Sequence, residues 1–225
     1  MEALNITGVT ENVVRYLRMN IIEGQLMPGQ KLNEIELSSR LGISRPPLRE
    51  GFRILENEHL IINLPRRGCY VTEVSMEDCH QIYQARELIE SGAIDCFKAN
   101  NIRELPEVAS AFELAAQRSA TFSNDSRTEV TEYHNPFPFF HINLIASTKN
   151  NWLIRFYNKI TPTLARYQFM CYEPTMFDKV QEEHEQILKL IKMEDYERVK
   201  DTLKLHINSF FKVIERRIGK KIPSQ

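Results

Sequence analysis

Between Asn33 and Asn57 the chain starts two helices and stops one, and few folds accept that arrangement. Asn33, three residues before Glu36, is close to a capping box: its side chain can accept from first-turn N–H groups, and Glu36 can reach back. The helix from Glu34 to Arg40 meets Gly42, which suits a left-handed stop. Ser44 then caps a second helix with Pro46 and Pro47 in its first turn, where missing N–H groups cost nothing. The spacing predicts a helix-turn-helix. Immediately afterwards, Leu60 to Leu64 and Gly68 to Thr72 are apolar and β-branched runs around Pro65-Arg66-Arg67-Gly68, which predicts a small hairpin.

The pattern changes near Glu73–Ser75. From there onward only helical periodicity is found, with helices expected near 76–98, 104–118, 138–149, 151–171, 177–193 and 195–217, and a polar loop over 119–135. The expected fold is therefore mostly α: a winged helix-turn-helix over residues 1–74, then an antiparallel all-helical bundle of about six helices over 75–225. At 42% apolar and 26% charged the chain can bury such cores and is not a disordered one. It contains no apolar run of 18 residues, so no transmembrane helix is expected, and its start has no signal-peptide pattern. The four scattered cysteines have no Cys-x-x-Cys pair and read as reduced cytosolic thiols.

Net charge is −1, which excludes a coat that binds any polyanion but not a local patch. Residues 40–67 hold six Arg against three Glu. In the second helix Leu48, Phe52 and Leu55 form the core stripe, while Arg45, Arg49 and Arg53 recur at i, i+4 and i+8 on another face. Arginines starting at a helix N-terminus suit a major groove, where they pair bidentately with guanine or grip phosphates. Arg66, Arg67 and Gly68 at the hairpin tip would form a wing that reaches the backbone or minor groove. Ser44, at the helix start, completes this candidate set. The competing reading, a merely solvated arginine face, loses weight beside a capped helix pair and a basic hairpin.

Three of the six histidines point inward on periodicity. His141 shares a stripe with Phe137, Leu144 and Thr148, His184 one with Val180, Ile187 and Ile191, and His206 one with Val199, Leu203 and Phe210. His184 and His206 each lie about 15 Å along their helices from the turn near Met193–Asp195. An antiparallel hairpin sets them side by side, and His141 can complete a trio. Converging imidazoles suit Zn, Ni, Cu or Fe better than Mg or Ca, with Zn or Ni the first candidates. Three separate core histidines bonded to carbonyls are the alternative. Arg86, on a stripe with Ile82, Ile89 and Ala93, faces the interior, where a guanidinium needs an anion. A small carboxylate held bidentately would serve, as would an internal ion pair or a surface pair with Glu90.

The run Gly24-Gln-Leu-Met-Pro-Gly29-Gln-Lys-Leu32-Asn-Glu34, then Leu41-Gly-Ile-Ser-Arg-Pro-Pro-Leu-Arg-Glu50, then Arg66-Arg-Gly68, resembles the winged helix-turn-helix of the GntR family of bacterial transcription regulators. The resemblance implies that Arg45 and Arg49 contact bases or phosphates and that Gly68 lets the wing approach the minor groove. Gly51 departs from the family's usual Ala, at up to about 1 kcal/mol of helix stability. The second half, with Phe140-His141, Asn150-Asn-Trp-Leu153, His184 and His206, is similar to the FCD ligand-binding domain of the FadR branch, in the shorter form of vanillate-type regulators. Metal-binding members have an Asp one turn before the first histidine, where this chain has Phe137. The resemblance also places an Arg at position 86 and implies an organic-acid effector.

The expected function is that of a cytoplasmic bacterial homodimer that binds a palindromic DNA operator, most often as a repressor. A small carboxylate, with or without a bound metal, would modulate it. Two other functions compete. A metal-dependent hydrolase could use a tris-histidine site, but there is no His-Glu-x-x-His helix, and the sequence shows no obvious general base beside the trio, since Glu185, next to His184, is expected to point away from it. A metal-free regulator could instead sense an acyl ligand.

Overall fold

The computed structural model describes residues 6–106, 108, 136–171 and 177–218. Among them are eight helices and one three-stranded antiparallel sheet, divided into two compact units. The first unit holds residues 1–79 together with 162–170, and the second holds 80–161 and 171–225.

The first unit begins with α1 (Ile6–Ile22), a two-residue strand β1 (Lys31–Leu32), α2 (Glu34–Leu41) and α3 (Arg45–Asn57). Asn33 caps α2 as its sequence requires, Oδ1 accepting from the N–H groups of Ile35 and Glu36. Gly42 ends the helix in the left-handed region at φ 64°. Ser44 occupies the N-cap position of α3 but makes no side-chain cap bond. The expected hydroxyl cap is therefore corrected, and the cause is local. An N-cap side chain accepts from the second or third helical N–H, and here those residues are Pro46 and Pro47, which have none.

Strands β2 (Ile61–Leu64) and β3 (Gly68–Val71) form the expected hairpin, in register from Ile61 opposite Val71 to Leu64 opposite Gly68. The sheet order is β1-β3-β2, because β1 adds to the hairpin's far edge through Lys31 opposite Tyr70 and Leu32 opposite Cys69. Two residues are too few to show a strand period, so this strand is absent from the sequence reading. Leu48, Phe52 and Leu55 of α3 close on Val13, Val14 and Leu17 of α1 to form the core. The stretch from Pro162 to Met170 also belongs to this unit: Arg166 donates to the Thr72 hydroxyl and carbonyl at 2.9 and 2.8 Å, and the Tyr167 hydroxyl donates to Asp78 at 2.8 Å.

The remaining helices are α4 (Met76–Asn100), α5 (Pro136–Ser147), α6 (Asn151–Cys171), α7 (Phe177–Lys192) and α8 (Tyr196–Ile218); the second unit takes α4 from His80 onward, α6 up to Thr161 with Cys171, and the other three whole. Periodicity places these five helices to within about two residues. The expected helix over 104–118 and the loop over 119–135 fall almost wholly outside the described residues. Asn150 caps α6 by accepting from the N–H groups of Trp152 and Leu153. The interior stripe of α4 runs Tyr83, Arg86, Glu90, Ala93 and Phe97, all buried, whereas Ile82 and Ile89 are half-buried. The helix is thus turned from the apolar stripe its sequence suggests, and Glu90 lies inside instead of on the surface.

A basic groove and a buried histidine trio

The first candidate site is a groove of about 600 Å³ between α3, β1 and the hairpin. Its lining brings together Arg49 and Arg53 of α3 with Arg66, Arg67 and Gly68 of the wing. Ser44 and Arg45 stand outside that lining, exposed at the start of α3. Lys31 of β1 joins the groove and was not singled out from sequence, because nothing local marks the strand that carries it. Its ammonium lies over the Tyr70 ring at 5.8 Å. Arg49 donates through Nε to Glu34 at 2.9 Å while its side chain stays 63% exposed, and Arg53 pairs with Glu50 at 3.5 Å. Such exposed pairs are weak and screened, so phosphates can replace them. At the tip Arg66 has φ 64° and Gly68 φ 100°, both in the region that favours glycine. A methyl at Gly68 would meet Lys31 Cε at 3.4 Å, an ordinary contact with a flexible side chain, so it is the backbone angle and not the space that calls for glycine here.

The second candidate site lies inside the helical unit. His141 of α5, His184 of α7 and His206 of α8 are buried, and their side chains converge. Their three Nε2 atoms are 3.1 Å apart for His141–His206 and His184–His206, and 3.3 Å for His141–His184. The helix hairpin of α7 and α8 brings the last two together at equal height, as the matched distances from the turn require. Phe140 stacks on the His184 ring at 4.0 Å with an interplanar angle of 9°.

Two carboxylates stand behind the trio. Glu90 Oε2 faces His141 Nδ1 at 2.8 Å, and Glu183 Oε2 faces His206 Nδ1 at 2.6 Å. Glu90 Oε1 accepts from Arg86 Nε and from the Tyr157 hydroxyl, each at 2.7 Å. Burial alone would raise the Glu90 carboxyl, but Arg86 and His141 beside it hold it below the usual range. Burial, reinforced by Arg86, lowers His141 to about 3 despite Glu90, and burial with its two histidine neighbours lowers His184. An ionised Glu90 carboxylate has only acceptors, so at 2.8 Å it would accept a hydrogen bond from His141 Nδ1–H and leave the Nε2 lone pair facing the centre.

This arrangement passes a test of fit for a metal. Ligand nitrogens about 2.1 Å from one ion stand about 3.0–3.4 Å apart for bond angles between octahedral and tetrahedral. The three observed separations fall in that interval. Carboxylates that accept from the far ring nitrogens are also the usual outer partners of metal-bound histidines. The Phe137 side chain, at the position of the family's Asp, lies outside the described residues.

Arg86 is 1% exposed, and the internal pair with Glu90 is the partner the structure gives it. Its Nη2 is buried with no hydrogen-bond partner among the described residues. Glu90 and Glu183 went unrecognised as partners of the histidines. Glu90 is four residues from Arg86 on the interior stripe, a signal that was available, whereas Glu183 carries none.

Comparison with known proteins agrees with both halves. Residues 9–71 match the family described as bacterial regulatory proteins, gntR family, and residues 81–209 match the FCD domain. The chain is 26% identical over 195 residues to the gluconate operon transcriptional repressor of Bacillus licheniformis, covering 84% of this chain and 77% of that one. It is 25% identical over 208 residues to a protein from Paenarthrobacter nicotinovorans described as "Probable D-xylose utilization operon transcriptional repressor", covering 92% and 89%. A GntR transcriptional regulator from Rhodococcus sp. RHA1 has the same fold, with a TM-score of 0.72 at 25% identity, covering 91% of this chain and 96% of that one. These relatives are transcription regulators rather than enzymes, and no described helix is long and apolar enough to cross a membrane. The chain belongs to the GntR family of DNA-binding transcription regulators, in the group whose second half is an FCD domain.

Proposed function

We propose that the chain is a cytoplasmic repressor that binds a palindromic operator as a homodimer and is modulated by a small carboxylate at a metal centre. Ser44, Arg45, Arg49 and Arg53 engage the major groove from α3, while Arg66, Arg67 and Gly68 carry the wing to the backbone or minor groove. His141, His184 and His206 hold the ion, with Zn or Ni the best match to three imidazoles. When bound, such an ion supplies open positions that a carboxylate oxygen can occupy. Arg86 offers to the same anion its Nη2, which has no partner among the described residues.

The observation that carries the metal reading is the meeting of three Nε2 atoms in a buried site. With protons on the Nδ1 atoms of His141 and His206, two lone pairs face each other at 3.1 Å. A cation held by the three nitrogens would satisfy both lone pairs.

Untagged protein purified without chelators, compared with His184→Ala, tests this by elemental analysis. Near one equivalent of metal per chain, lost in the variant, is expected. No metal after incubation with Zn or Ni would overturn the reading. The DNA half is tested separately. Binding to the chain's own promoter region should be tight and strongly salt-dependent, and weakened at least tenfold in Arg49→Ala. Absence of salt-sensitive binding would refute it.

A further inference from the structure

The two carboxylates behind the trio are not equivalent. Glu183 touches its histidine from an edge: the side chain is 23% exposed, and among the described residues its other oxygen has only Lys179, at 3.8 Å. Glu90 is fully buried and engaged on both oxygens, Oε1 by two donors, Arg86 Nε and the Tyr157 hydroxyl, and Oε2 by His141. Arg86 cannot become an acceptor, since a guanidinium has donors only.

We propose that Glu90 is a positioning residue that locks the His141 proton on Nδ1 and so keeps the Nε2 lone pair available to a cation. Arg86 and Tyr157 hold the carboxylate in place, which makes the lock directional. Glu183 plays the same part for His206 with a side chain that can still turn. This inference rests on the metal reading for its purpose, but not for its test.

The consequence appears on isosteric substitution. In Glu90→Gln the amide oxygen must stay with Arg86 and Tyr157, because both donate. The amide NH₂ then faces His141 Nδ1, which has to accept, and the ring proton moves to Nε2, into the centre of the trio. In Glu183→Gln the amide can present its oxygen to His206 Nδ1–H, and the tautomer survives. Two substitutions that each remove one negative charge beside a histidine thus have different outcomes. Simple loss of charge would make them alike.

The experiment is nitrogen-15 NMR of histidine-labelled, metal-free full-length protein, which assigns the protonated nitrogen of each ring, followed by Zn titration. In the wild type His141 and His206 should carry the proton on Nδ1. Glu90→Gln should move that of His141 to Nε2 and weaken Zn binding by about 10–100-fold, the size of effect seen when such outer partners are lost. Glu183→Gln should retain the Nδ1 tautomer of His206 and weaken Zn binding less than fivefold. A wild-type His141 protonated on Nε2 would overturn the proposal without any variant, and so would a folded Glu90→Gln that keeps the Nδ1 tautomer. If the tautomers behave as stated but the wild type binds no Zn, the positioning role stands and the metal reading falls.

Discussion

Gly51 tests how finely the first unit is packed. It lies in the interior of α3, buried against α1, and a methyl there would come 3.2 Å from Val13 Cγ1 and 3.5 Å from Val14 Cγ2. The first distance is short by a few tenths of an ångström, so Val13 has to give. Against that stands the helix penalty of glycine, about 1 kcal/mol relative to alanine. The penalty is the larger effect, because a shift of that size at a helix–helix contact is small. Gly51→Ala should therefore raise the midpoint of thermal unfolding by about 2 °C, on the usual scale of about 2–4 °C per kcal/mol for a chain of this length. Gly51→Val should lower it, since its added methyls meet both valines and overpacking costs about 1–3 kcal/mol. Calorimetry on the two variants checks both signs, and a fall in Gly51→Ala would mean that α1 cannot move.

The wing is the element in which stability and function pull apart. Arg66 holds a left-handed backbone at φ 64°, a conformation that costs a residue with a side chain about 1–2 kcal/mol. Glycine would remove that strain at some cost in unfolded-state entropy. Arg66→Gly should leave stability within about 1 kcal/mol of the wild type, yet weaken operator binding and lower the salt slope by about one, the signature of one lost phosphate contact. Gly68→Ala fails differently. It forces φ 100° on a residue with a Cβ, so the hairpin itself should loosen, with metal content unchanged. Anisotropy titrations at several salt concentrations separate the two.

The same element marks how far the sequence could be read. Turns, caps and helices were accessible because their signals are local: Asn33, Gly42, Pro65 and Gly68 act within a few residues of themselves. The histidine trio was accessible through arithmetic, since equal distances from one turn fix equal heights in a helix hairpin. Strand β1 was not, because its pairing with Tyr70 and Cys69 depends on chain nearly forty residues away. The burial of Glu90 is signalled only by its place four residues after Arg86, since an acid belongs on the surface until Arg86, Tyr157 and His141, from three different helices, surround it. The apolar stripe of α4 was misplaced for the same reason, as the ion network decides which side of that helix faces inward.

At the scale of the whole molecule, regulation requires more than binding in one unit and DNA contact in the other. A ligand shifts an equilibrium only through its different affinities for two states, and the linkage is reciprocal. The metal alone can serve as the probe. Zn affinity is measured with and without saturating operator DNA, and operator affinity with and without saturating Zn, using full-length protein at fixed salt. If the site at His141, His184 and His206 belongs to the switch, the two ratios should be equal and differ from one by about 5–150-fold, the usual range of allosteric coupling. Arg49→Ala should lower operator affinity without changing Zn affinity in the absence of DNA, because it touches only the groove. Ratios of one on both arms would make the ion a structural support. In that case Zn at about 100 times its dissociation constant would still stabilise the fold by about 2.7 kcal/mol, and a His184→Ala variant would lose thermal stability and keep its operator affinity.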